Sequence, residues 1–236
     1  NIQNRNSVKF IGGEQAHARG IRGQGMKVGI IDTGVDYTHA MLGGAGTEAA
    51  FTAIKPNEAS SAFPNAKVVG GVDFVGTEFN TASPDFRKHI PIMDSNPIDE
   101  GGHGSHVAGS VAGRGDGVNT YDGVAPDASL YALKVFGADG STNDNVVIAA
   151  LEYSADPNGD GDLTDALDVV NLSLGSGYGS GHILYSQAIR NLSAGGTVVV
   201  CSGGNSGDIP YIVGSPGVTD EALSVAASVD DMDQNW

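Results

Sequence analysis

The chain has 236 residues, enough to bury a sizeable core in one large domain or two small ones. Its 40% hydrophobic content excludes global disorder, no apolar run approaches the ~20 residues that cross a bilayer, and 36 glycines without a fixed period exclude a collagen-like chain. Twelve Lys and Arg against 28 Asp and Glu give a formal charge of −16, which argues against nucleic acid as a partner because neutralising phosphates needs clustered cations.

Short β-branched runs alternate with helical stretches, the pattern of an α/β protein with a parallel sheet. Residues 26–31 read as a buried strand ending in Asp32-Thr33-Gly34, and residues 67–74 as a second strand. Two long irregular stretches, 43–65 and 76–99, have the length of functional segments or family-specific insertions. A helix is expected over 102–112, a strand over 129–136, a helix over 143–154 and a strand over 168–174. A helix over 181–194 carries Leu184, Ala188, Ile189 and Leu192 as one apolar stripe, and strands over 197–202 and 222–229 follow. With no internal repeat and no linker, residues 1–236 read as one domain. The single Cys201 cannot form an intramolecular disulfide, and its apolar strand suits a small buried side chain better than a reactive thiol. A start at Asn1 in place of Met is that of a processed or excised chain.

In such folds ligands sit beyond the carboxyl ends of the strands. That rule selects Asp32, the residues after Leu172, and Gly203-Gly204-Asn205-Ser206-Gly207, which should meet at one rim of the sheet. A dinucleotide site fails on order, because Gly23 and Gly25 precede their strand whereas phosphate cradling needs glycines after it. A zinc-protease helix fails on spacing, because His103 and His106 are three residues apart with no Glu between them. Each polar residue alone could be ordinary: Asp32 a strand-end turn former, Asn205 a tight-turn residue. Together they offer a carboxylate to orient an imidazole, an imidazole to deprotonate a nucleophile, and an amide to donate to an oxyanion.

The segments Gly29-Ile30-Ile31-Asp32-Thr33-Gly34, Gly102-His103-Gly104-Ser105-His106-Val107-Ala108-Gly109 and Ser202-Gly203-Gly204-Asn205-Ser206-Gly207 resemble the Asp, His and oxyanion-Asn blocks of the subtilisin-like serine proteases. Gly123-Val124-Ala125-Pro126 with Leu133-Lys134-Val135, and Asn171-Leu172-Ser173-Leu174-Gly175, are similar to two further segments of that family in the same order. The resemblance implies a subtilisin-like three-layer α/β fold with a mostly parallel central sheet. It also implies Asp32 and His103 as triad members and Asn205 as oxyanion donor. Gly140, Ser141, Ser173, Leu174 and Gly175 would flank an extended substrate, with Gly203 and Gly204 lining the pocket for the residue before the cleaved bond. A secreted endopeptidase with protein or peptide substrates, and with a propeptide, follows from the same resemblance. No Gly-Thr-Ser-Met-Ala type segment, the family's nucleophile block, occurs between Asn1 and Trp236. The serine is therefore expected downstream, the domain is expected to be partial and truncated before the nucleophile helix, and the isolated chain is expected to be inactive.

Asp156, Asn158, Asp160 and Asp162, with Gly161 for the sharp turn, follow the opening of a calcium-binding loop. The pattern breaks at Leu167, where a bidentate Glu belongs, so Asp165 or Asp168 would have to close the site. Four carboxylates within ten residues repel one another without a cation, which favours Ca²⁺; the rival is a solvated acidic turn. Many members of the family need calcium, but at the position of a frequent family calcium ligand this chain carries Met41. The rival functions are a non-catalytic, calcium-stabilised peptide-binding relative and a calcium-dependent adhesion domain.

Overall fold

The structure is a computed structural model that describes residues 2–118, 121–181 and 184–228. Six strands, β1 Lys27–Asp32, β2 Val68–Asp73, β3 Ser129–Lys134, β4 Val169–Leu172, β5 Val198–Ser202 and β6 Leu223–Val225, form one sheet in the order β2-β3-β1-β4-β5-β6. Every pair of neighbours is parallel. The α-helices among the described residues are α1 Ile2–Phe10, α2 Gly13–Ala18, α3 Glu48–Thr52, α4 His103–Ala112, α5 Asp144–Ala155 and α6 Leu184–Ala194.

A parallel sheet needs both faces covered, and the side-chain alternation of its central strands does this. Ile31 and Leu133 point into one core with Val147 and Leu151 of α5 and Ile189 and Leu192 of α6. Ile30, Leu130 and Ala132 point into the other with Ala108 and Ala112 of α4. Three layers result, as the sequence implied. Ile30 and Ile31 have no exposed surface, so each contributes roughly 1.5–3 kcal/mol through burial.

The chain runs from β1 to the β2 edge, returns through β3 beside β1, and then crosses to β4 on the other side. The carboxyl ends of β1, β4 and β5 thus lie consecutively along one rim next to the reversal of direction, where open α/β sheets bind ligands.

Several boundaries differ from the sequence reading. Met26 is 39% exposed and lies outside β1. The second, third and fourth strands end at Asp73, Lys134 and Leu172, where the chain turns into the rim loops. The sixth strand is only Leu223–Val225, and residue 229 lies outside the described residues. Of the stripe expected on α6, Ile189 and Leu192 are buried and Ala188 packs against the core, but Leu184 is 67% exposed at the first turn. Helices α1 and α2 carry no apolar periodicity to announce them. They are tied down by contacts at long sequence separation, such as the Asn4 amide donating to the Gly109 carbonyl of α4, 3.0 Å.

Candidate active site

β1 ends in a carboxylate, and α4 begins with an imidazole. Asp32, the last residue of β1, is 1% exposed, and its Oδ1 accepts from His103 Nδ1 at 2.7 Å and from the Thr33 amide at 2.7 Å. The two residues are separated by 71 positions. They meet because Gly102 takes a left-handed turn, φ 85°, and Gly104 lets α4 rest on the β1 exit: a Cβ there would lie 2.1 Å from the Gly34 carbonyl oxygen.

Burial is the largest influence on Asp32 and pushes its carboxyl above the ordinary range, against the hydrogen bonds from His103 and Thr33. Its Oδ2 is buried without a hydrogen-bond partner among the described residues. A carboxylate can only accept, so the bond places the proton on His103 Nδ1 and leaves Nε2 free to act as a base. The His103 side chain is 56% exposed, within reach of an incoming hydroxyl.

Further along the rim, the exits of β4 and β5 enclose a cavity of about 340 Å³. Ser173, Leu174 and Gly175 line it from β4, and Gly204, Asn205 and Ser206 from β5. Asn205 is exposed, so its amide is accessible to a ligand. Gly203 does not line the cavity; it sits one residue back, its amide donating to the Val225 carbonyl at 2.7 Å. Gly140 and Ser141 lie in a turn beyond β3, also outside this cavity. That turn is closed by Gly137 N donating to Ser141 O at 3.0 Å, with Gly140 at φ 84°.

The acidic loop follows α5 and leads into β4. Its side chains fold onto its own backbone. Asp156 accepts from the amides of Gly159 and Gly161, Asn158 from Asp160, Asp160 from Asp162, Asp162 from Thr164, and Asp165 Oδ2 from Asn158. Asp165 Oδ1 is left buried and unpartnered. No three His, Cys, Asp and Glu side chains among the described residues converge as a cation cluster. The donor chemistry suits calcium, and one orphaned oxygen is in place. Met41, by contrast, is 4% exposed, a buried apolar side chain.

Two acidic residues just ahead of α4 hold the site: Asp99, the last residue of the irregular stretch 76–99, and Glu100, just beyond it. Glu100 Oε2 accepts from Lys134 Nζ at 2.6 Å and from Thr77 Oγ1 at 2.9 Å. Lys134, at the end of β3 and in register with Asp32, is 1% exposed. Its ammonium also lies 3.2 Å from Asp73 Oδ2, a charge contact outside hydrogen-bond alignment. Asp99 lies ahead of the N-cap Gly102, outside the positions at which an acid announces a helix start, so no local signal marks it. Cys201 is 1% exposed and its thiol is pushed up to about 12 by burial, in keeping with an inert core side chain.

A buried carboxylate orienting a half-exposed imidazole is acid–base machinery of the kind that activates a hydroxyl. Comparison with known proteins agrees: the chain belongs to the subtilase family, whose model matches residues 23–235. It is 38% identical over 223 residues to the minor extracellular protease Vpr of Bacillus subtilis (strain 168), covering 94% of this chain and 23% of that protein. It is 34% identical over 223 residues to subtilisin DY of Bacillus licheniformis, covering 93% and 62%. Subtilisin Savinase of Lederbergia lenta is 33% identical over 192 residues, covering 81% and 52%. The chain therefore spans less than two thirds of the length of each of these relatives.

Proposed function

We propose that the full-length protein is a secreted serine endopeptidase and that residues 1–236 carry two members of its triad and its oxyanion amide. The observation that carries this reading is the 2.7 Å bond from His103 Nδ1 to the buried Asp32 carboxylate. In the proposed reaction His103 Nε2 takes the proton of a serine hydroxyl, and the serine oxygen attacks the scissile carbonyl. The Asn205 amide donates to the developing oxyanion. The imidazolium then returns the proton to the leaving amine, and water hydrolyses the acyl-enzyme with His103 again as base. Asp32 stays ionised throughout and holds the imidazole in the productive tautomer. An extended peptide would pair its main chain with residues 173–175 and 140–141, so binding would need little side-chain identity. The serine belongs to a segment downstream of Trp236, and the isolated chain is inactive. Similarity to the minor extracellular protease Vpr supports extracellular action.

The test is labelling of the full-length protein by a fluorophosphonate, with the modified residue mapped by mass spectrometry. One labelled serine outside residues 1–236 is expected. A folded full-length protein that takes no label is instead a peptide-binding relative without the chemistry.

We also propose that Asp156, Asn158, Asp160, Asp162 and Asp165 take up a calcium ion, drawing together side chains that now cap their own backbone. The hard oxygen donors and the unpartnered Asp165 Oδ1 support this. EDTA is expected to lower the thermal midpoint of the wild-type chain and to leave that of Asp160→Asn unmoved. A wild-type midpoint insensitive to EDTA sinks the assignment.

A further inference from the structure

We propose that Asp99 is the positioning residue that sets the distance between Asp32 and His103; its kinetic part rests on the peptidase reading. The Asp99 carboxylate is 3% exposed and accepts five hydrogen bonds. Oδ1 accepts from Thr33 Oγ1 at 2.8 Å and from the amides of Gly101 at 2.9 Å and Gly102 at 2.8 Å. Oδ2 accepts from the Ser105 amide at 2.8 Å and from Ser105 Oγ at 2.6 Å.

Both hydroxyls are relays. Thr33 Oγ1 accepts from the Gly104 amide at 2.8 Å, and Ser105 Oγ accepts from the Asp36 amide at 2.7 Å. The exit of β1, residues 33 and 36, is thereby fastened to the first turn of α4, residues 104 and 105, at two points. Asp32 adjoins Thr33 in sequence, and His103 lies between Gly102 and Gly104. Every residue flanking the pair on the facing sides is held by one carboxylate or its relays, yet Asp99 touches neither Asp32 nor His103 through these bonds. Its role is to set the geometry, while its charge adds a smaller upward push on the Asp32 carboxyl.

Only a carboxylate suits this socket. It accepts on both oxygens, and five donors converge on it. An Asn amide would aim N–H groups either at Ser105 or at the Thr33 hydroxyl and the glycine amides, so an isosteric replacement still opposes donors to donors. A misplacement of 1 Å at a catalytic pair costs on the order of 10²-fold in rate.

The experiment compares Asp99→Asn, Ser105→Ala and Ser105→Thr with wild type in the full-length protein. It reads kcat and KM on a peptide substrate, circular dichroism, and the low-field proton resonance of His103 Nδ1–H. Asp99→Asn is expected to keep its fold, lower kcat by about 10²-fold with KM within about twofold, and shift or lose the low-field resonance. Ser105→Ala should move the same readouts less far, and Ser105→Thr, which restores the hydroxyl relay, should return them toward wild type. A folded Asp99→Asn with wild-type kcat and an unshifted resonance overturns the proposal. If Asp99→Asn does not fold, an unshifted resonance in Ser105→Ala overturns it instead. If the wild type takes no fluorophosphonate, the peptidase reading fails by itself, and the resonance still decides the role of Asp99.

Discussion

In the full-length protein, His103→Ala is expected to lower kcat by about 10⁶-fold, and Asp32→Asn to lower it by about 10⁴-fold while raising the thermal midpoint. The first magnitude is that measured for a subtilisin triad and the second that of the same Asp-to-Asn exchange in a chymotrypsin-type triad; both serve here as a scale. Among the described residues His103 is the imidazole bonded to Asp32, so its loss removes the base outright. Asp32→Asn keeps the shape but not the instruction: an amide can donate to Nδ1 and hold the proton on Nε2, where it blocks uptake from the serine. The stability gain follows from the sign of the Asp32 shift. Burial raises this carboxyl above its unfolded value. An acid so raised supports the fold below its unfolded pKa and loses that support as pH rises through its folded pKa. At neutral pH the ionised group is therefore a cost, which Asn removes. The advantage of Asp32→Asn in thermal midpoint should be present at neutral pH and shrink as the solution is acidified through the carboxylate range. A variant less stable than wild type at neutral pH contradicts this account of the site.

Lys134→Met is expected to destabilise the chain by about 3–5 kcal/mol, the loss found when one partner of a buried ion pair is removed. The ammonium is 1% exposed and is the positive charge between Glu100 Oε2, 2.6 Å away, and Asp73 Oδ2, 3.2 Å away. Without it the buried Asp73 carboxylate is left beside the partly exposed carboxylate of Glu100, with Asp94, already pushed upward by burial, close enough to add to their repulsion. Glu100→Gln placed on Lys134→Met removes one of those charges and should recover part of the loss. Denaturant unfolding of the two variants measures both effects. A loss under about 1 kcal/mol for Lys134→Met means that the pair is solvated and not the anchor described above.

The residues that carry chemistry were largely readable in the sequence, and the residues that position them were not. Asp32 and Asn205 follow apolar strands, and His103 opens a run of small residues, so chain order and strand ends led to them directly. The alternation of Ile30 and Ile31 and the runs around Leu133, Val170 and Val199 likewise made the sheet legible. Asp99 and Glu100 sit where the chain has no periodicity, and their importance comes from donors and a cation contributed by β1, β3 and α4. Side-chain contacts across such separations leave no local signature. Leu184 fitted the helical spacing of its neighbours but stands at the solvent end of its helix, since spacing fixes a face and not how far the packing extends. Gly203 and Gly204 looked equivalent, and only the β6 pairing, which occupies the Gly203 amide, separates them.

The long insertion between β2 and α4 departs from the sheet and comes back to it at nearly one point. Asp73 and Asp94 exchange backbone hydrogen bonds at 3.0 and 2.9 Å, and Ile92 N donates to Val75 O at 2.9 Å, so the base of the excursion is closed. Asp73 and Glu100 then share the same ammonium. Thr77, which donates to Glu100, and Phe79, which is buried in the core, belong to the base as well, so what happens between residues 80 and 91 is insulated from the imidazole that follows. That stretch, with Phe86 and Ile90 facing water, can be lengthened, trimmed or exchanged for another sequence while the acid–base pair keeps its register. It is the natural place to graft new recognition onto this scaffold.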